Sequence, residues 1–95
     1  MSRAFVNEDA TFEPEPRYSL PDPESPYFDE AAARALLEGA NAGNTMSAEK
    51  ATGLRWGEAR LVPHVEALIR EAEEAGDTRM ARLGKRFLRK AAEVG

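Results

Sequence analysis

From residue 63 to the end of the chain, apolar side chains recur at helical spacing. Val65, Leu68, Ile69 and Ala72 stand at i, i+3, i+4 and i+7, a spacing that gathers them into one stripe along a helix. Met80, Leu83, Phe87, Ala91 and Val94 follow at i, i+3, i+7, i+11 and i+14. Pro63 suits the first residue of a helix over 63–75, because its ring presets φ and its missing N–H would find no partner in a first turn. Gly76 ends that helix, and Asp77 or Thr78 caps the next, over 78–93. Two amphipathic helices joined by so short a turn fold back as an antiparallel hairpin.

Upstream the signal comes from helix formers. Asp29 caps a helix or lies in its first turn, where its charge suits the dipole. Glu30 to Glu38 is alanine- and leucine-rich, which predicts a helix over 29–39 with Gly39 as its stop. Residues 40–45 have turn chemistry. Ser47 reads as the N-cap of a short helix to Thr52, closed by Gly53. Leu54, Trp56, Leu61 and Val62 then face the core around a turn at Trp56-Gly57. There is no internal repeat and no strand pair, so the expected class is all-α, a helical domain over 29–95.

Residues 1–28 break the pattern. Five of the six prolines fall here, and proline removes backbone donors and disfavours helix at the residue before it. Phe12-Glu13-Pro14-Glu15-Pro16 favours polyproline II. Yet Phe5, Val6, Tyr18, Leu20, Tyr27 and Phe28 also recur, and a disordered tail is poorer in such residues. The expectation is an extended, acidic, aromatic arm that lies across the helices or docks on a partner.

The chain of 95 residues carries a formal net charge of −4, unevenly spread. Residues 1–50 hold ten acids and four bases, a net of −6; residues 51–95 hold seven acids and nine bases, a net of +2. The last helix concentrates the cations Arg79, Arg82, Lys85, Arg86, Arg89 and Lys90. They either meet an acidic partner surface or complement the helix dipole and pair with the chain's own acidic arm. With the negative net charge and Phe87 as the one interleaved aromatic, duplex nucleic acid is not the expected partner. No apolar run approaches the roughly 20 residues of a membrane span. The absence of cysteine excludes disulfides and thiolate metal sites. A cytoplasmic location is expected, since so small a secreted domain usually needs disulfide staples.

Catalytic groups are sparse. His64 is the only histidine, too few nitrogen and sulfur ligands for a transition-metal site, and it has no evident nucleophile to activate. A surface position in the first turn of its helix is expected. Gly39 to Thr45 has glycines but neither the lysine nor the preceding strand of a phosphate loop. Glu66, Glu71, Glu73, Glu74 and Asp77 form either a magnesium-binding or acid–base cluster or a solvated helix face. Trp56 anchors a partner or, the more common fate of a lone tryptophan in a small domain, packs in the core. No catalytic residue, cofactor or metal is expected.

The opening Ser2-Arg3-Ala4-Phe5-Val6-Asn7-Glu8-Asp9 resembles the start of the bacterial GreA/GreB transcript-cleavage factor family, as does a proline-rich stretch leading to Tyr27-Phe28 and an alanine-rich helix. Ala72-Glu73-Glu74-Ala75-Gly76-Asp77 is similar to the tip of that family's coiled-coil hairpin. The resemblance implies contact with RNA polymerase, with Asp77 as the tip aspartate. The second tip acid would stand where this chain has Met80, and loss of one ligand carboxylate undermines metal recruitment. The family's C-terminal globular domain has no counterpart among these residues. The expected function is therefore non-enzymatic macromolecule binding in bacterial transcription, with Phe5, Asp77, Arg82, Arg86 and Arg89 as partner-binding residues. The alternative is a helical adaptor, or a homodimer formed through the Met80/Leu83/Phe87 stripe.

Overall fold

The computed structural model describes Tyr18 and residues 20–94, apart from the side chain of Val94. Phe5, and most of the arm with it, lies outside the described residues. The described chain forms α1 (Phe28–Asn41), α2 (Thr45–Thr52), a short 3₁₀ turn (Ala59–Leu61), α3 (Val62–Ala75) and α4 (Thr78–Val94). No strand occurs among the described residues, and the class is all-α.

α1 begins at Phe28, one residue before the expected start. Tyr27 occupies the cap position without a side-chain hydrogen bond. Order is instead set upstream, where Asp22 Oδ1 accepts from the Glu24 N–H and Ser25 Oγ accepts from the Tyr27 N–H. Asp29 and Glu30 lie in the first turn, where their charges oppose the helix dipole favourably.

Gly39 does not stop α1. The helix runs on to Asn41, and Gly39 is buried within it. A Cβ built at Gly39 would stand 2.6 Å from Ala48 Cβ and 3.2 Å from the Tyr18 hydroxyl. The glycine is there to let α2 and Tyr18 close on α1. The stop comes four residues later, where Gly43 adopts φ +77°, a left-handed conformation that costs glycine little. The Asn44 N–H then returns to the Gly39 carbonyl at 2.8 Å.

The cap of α2 also moves. Asn44 Oδ1 accepts from the Ser47 N–H at 3.2 Å, so Asn44 is the N-cap and Ser47 is a buried residue of the first turn. Gly53 closes α2 at φ +73°, as the sequence predicts. Pro63 is the second residue of α3 rather than the first, and Gly76 ends α3 at φ +77°.

The hairpin stripes meet as expected. Val65, Leu68, Ile69 and Ala72 of α3 are buried, as are Leu83, Phe87 and Ala91 of α4, while Met80 is half-buried. α1 covers this seam with Phe28, Ala32, Ala33, Leu36 and Leu37, and Leu61 and Ala48 complete one continuous core. Phe87 is wholly enclosed; removing such a side chain from water is worth roughly 2–3 kcal/mol. At Gly84 an added Cβ would lie 2.4 Å from Ile69 Cγ1, so this glycine sets how closely α3 and α4 approach. Tyr18 and Leu20 pack against the same core, which joins the arm to the helical body well before Phe28. Trp56, half-buried, packs there too, matching the core reading rather than the partner anchor.

Candidate docking face on the last helix

With its apolar stripe turned inward, α4 presents its cations on the opposite side. Arg82, Arg86 and Arg89 are exposed and stand at i, i+4 and i+7. At about 100° per residue they fall within an arc of about 60°, and at about 1.5 Å rise per residue the row is about 10 Å long. Among the described residues no carboxylate pairs with any of the three.

The other cations of α4, and Arg34 and Arg60 elsewhere, are engaged. Lys85 Nζ lies 3.1 Å from Glu73 and Lys90 Nζ lies 4.0 Å from Glu93. Arg34 reaches Glu71 at 3.3 Å. Arg60 donates from Nη2 and Nε to one oxygen of Asp29, at 2.6 and 3.1 Å. That hydrogen bond holds the Arg60 guanidinium above its ordinary pKa, with the Coulomb attraction of Asp29 adding to it.

Arg79 leaves the row for a structural task. α1 has no basic residue in its last turn. Arg79 Nη2 instead reaches across from α4 and donates to the Asn41 carbonyl at 3.2 Å, while its Nε donates to the Asn41 side chain. A helix C-terminus leaves carbonyls without intrahelical partners and carries partial negative charge, and Arg79 answers both. Spacing alone sets Arg79 in the basic row of α4, because nothing in it places the end of α1 beside the start of α4.

Asp77 sits in the exposed turn between α3 and α4, and its Oδ1 accepts from the Met80 N–H at 3.1 Å. The carboxylate is thus the N-cap of α4. It lines a cleft of ≈370 Å³ between α1 and the hairpin, whose walls also include Arg34, Glu71 and Met80. Arg82 borders a different hollow, so Asp77 and the arginine row do not converge on one site. That second hollow, ≈350 Å³, is lined by Glu73, Gly76, Thr78, Ala81, Arg82 and Lys85. Its lining comes from both helices of the hairpin and the glycine turn between them, which spacing within either helix does not show.

The acidic cluster does not assemble. Glu71 faces Arg34 and Glu73 faces Lys85, and no three potential ligands gather around a common point among the described residues. The cluster is a solvated face on which Glu71 and Glu73 pair with cations. His64 is half-buried in the first turn of α3 rather than fully at the surface. The Met80/Leu83/Phe87 stripe is occupied within the chain's own core, with Phe87 fully enclosed and Leu83 buried. Met80, the third residue of the stripe, is half-buried and lines the cleft beside α1.

No known protein family, curated protein or solved structure matches the chain. No helix among the described residues is long and apolar enough to cross a membrane.

Proposed function

We propose that this chain is a non-enzymatic, macromolecule-binding helical protein that engages a protein partner through Arg82, Arg86 and Arg89. The observation that carries this reading is the unpaired arginine row itself. The other cations of α4 are bound to a carboxylate or to a helix end, whereas these three arginines lie on one side of the helix, exposed and without a counter-charge among the described residues. Arginine suits such a role because its planar fork meets carboxylates in a bidentate way. The row is held on a rigid helix, so little order must be gained on binding.

RNA polymerase is the first partner to test, on the resemblance of the opening segment and the hairpin turn to transcript-cleavage factors. The role is binding without cleavage, since Asp77 is engaged as a helix cap and Met80 stands where a second tip acid would be needed. The test is a pull-down of bacterial RNA polymerase by the full chain and by the Arg82→Glu/Arg86→Glu variant. Loss of recovery with an unchanged far-UV circular dichroism spectrum is expected. Recovery by neither protein sinks the polymerase assignment, and equal recovery by both sinks the arginine row as the surface that binds it. If the variant also keeps every protein partner of the parent chain, the arginine row is not the binding surface.

A further inference from the structure

We infer that the element received by this face is an acidic α-helix bearing an apolar side chain beside its carboxylates, an inference that rests on the binding reading above. The row is straight and runs nearly parallel to the axis of α4, because steps of four and three residues return to one side of a helix. The rises between its members are about 6.0 and 4.5 Å. Glutamates at i, i+4 and i+7 of a second helix lying along α4 repeat the same two steps. An extended segment does not, since its same-side residues recur about every 6.6 Å and three of them overshoot the row.

Two features choose protein over nucleic acid. Glu93, one turn beyond Arg89, is exposed and only loosely held by Lys90 at 4.0 Å. The face therefore reads cation, cation, cation, anion along its length. A phosphate backbone carries like charge at every step and is repelled at that end, and the chain's overall charge of −4 opposes a polyanion at long range. A protein helix can match the sequence of signs. The hollow beside Arg82 adds the second element. Ala81 and Gly76 line it, and the Lys85–Glu73 ion pair borders it, which suits one apolar side chain set next to a carboxylate.

The test uses the full chain, isotopically labelled, and an alanine-based helical peptide of about 20 residues, long enough to be helical in water. The peptide carries glutamates at i, i+4 and i+7 and a leucine one turn before the first. A control peptide has the same composition with its glutamates spread around the helix. The patterned peptide should shift the side-chain Nε–Hε signals of Arg82, Arg86 and Arg89. It should bind about tenfold more tightly than the control, a difference of about 1.4 kcal/mol. Replacing the three arginines by lysine should weaken binding while retaining the charge.

Equal binding of both peptides, or none, overturns the inference. So does a DNA duplex that binds more tightly at physiological salt. A peptide that binds only after Glu8, Asp9, Glu13 and Glu15 are changed to glutamine would assign the face to the chain's own arm, which also overturns it. Failure here with a pull-down that still depends on Arg82 and Arg86 removes only the helical occupant. Failure of the pull-down removes the reading beneath it.

Discussion

The rings of Trp56 and Phe87 meet edge to face, with centroids 5.0 Å apart and planes at 68°. This is the geometry in which a positive ring edge meets a negative face. It ties the loop between α2 and α3 to the centre of α4. Because Trp56 is the only tryptophan, its fluorescence reports on this one site. Phe87→Ala should destabilise the fold by about 3–5 kcal/mol through lost burial and the cavity left behind, and Phe87→Leu by less. Chemical denaturation followed at the tryptophan gives both the cost and a red-shifted native emission. A Phe87→Ala cost under about 1 kcal/mol would contradict the enclosed position of this ring.

Gly84 and Ile69 should behave as a coupled pair. In an exposed helix Gly→Ala gains about 1 kcal/mol, yet here the new methyl would meet Ile69 Cγ1, and overpacking costs about 1–3 kcal/mol. Gly84→Ala is therefore expected to destabilise the parent chain and to stabilise an Ile69→Ala background. A double-mutant cycle in urea measures the coupling. Additive effects would mean that the α3–α4 separation is not set at this contact.

Gly39→Ala makes the same demand with less room to relax. The opposing atom is Ala48 Cβ, fixed to the backbone of α2, so a helix rather than a side chain must move. Destabilisation by about 1–3 kcal/mol is expected, relieved by Ala48→Gly apart from that residue's own helix penalty. If Gly39 were a mere helix stop, Ala48→Gly would give no relief.

Asp77 separates its cap from its charge. Asp77→Ala should cost about 1 kcal/mol by freeing the Met80 N–H, whereas Asp77→Asn retains a good cap and should cost only a few tenths. Thermal unfolding distinguishes the two. Equal losses in both variants would point to the charge, not the hydrogen bond.

The arginine row should be dispensable for folding. Arg82, Arg86 and Arg89 are exposed and lack carboxylate partners among the described residues. Each single change to glutamine should therefore shift stability by no more than about 0.5 kcal/mol. Arg79→Gln, by contrast, should loosen the end of α1, visible as faster amide exchange at Asn41 and Ala42. An equal effect from all four would deny Arg79 its separate role.

Much of this architecture is legible in the chain because its signals are local. Gly53 and Gly76 close helices where the sequence places them, and the Val65-to-Ala72 and Leu83-to-Ala91 stripes are buried as their spacing demands. The misreadings come from residues whose meaning depends on a distant neighbour. A glycine can end a helix or admit another helix, and only Ala48, nine residues on, decides that Gly39 does the second. Asn44 and Ser47 are both good caps, and the burial of Ser47 under the fold leaves the role to Asn44. The arginine row is visible in spacing alone, but its isolation is not. That required seeing Arg79 drawn to Asn41, Lys85 to Glu73 and Lys90 to Glu93.

The Gly76-Asp77 turn has a kinetic consequence. α3 and α4 are neighbours in sequence as well as in space, and so are α1 and α2, which meet at Gly39 and Ala48. Each pair closes only a short loop before it begins to gain contacts, so little entropy is spent ahead of the reward. Topologies of this kind fold in microseconds to milliseconds. The slower event is the docking of one pair on the other, at the seam where Leu36 and Leu37 meet the hairpin.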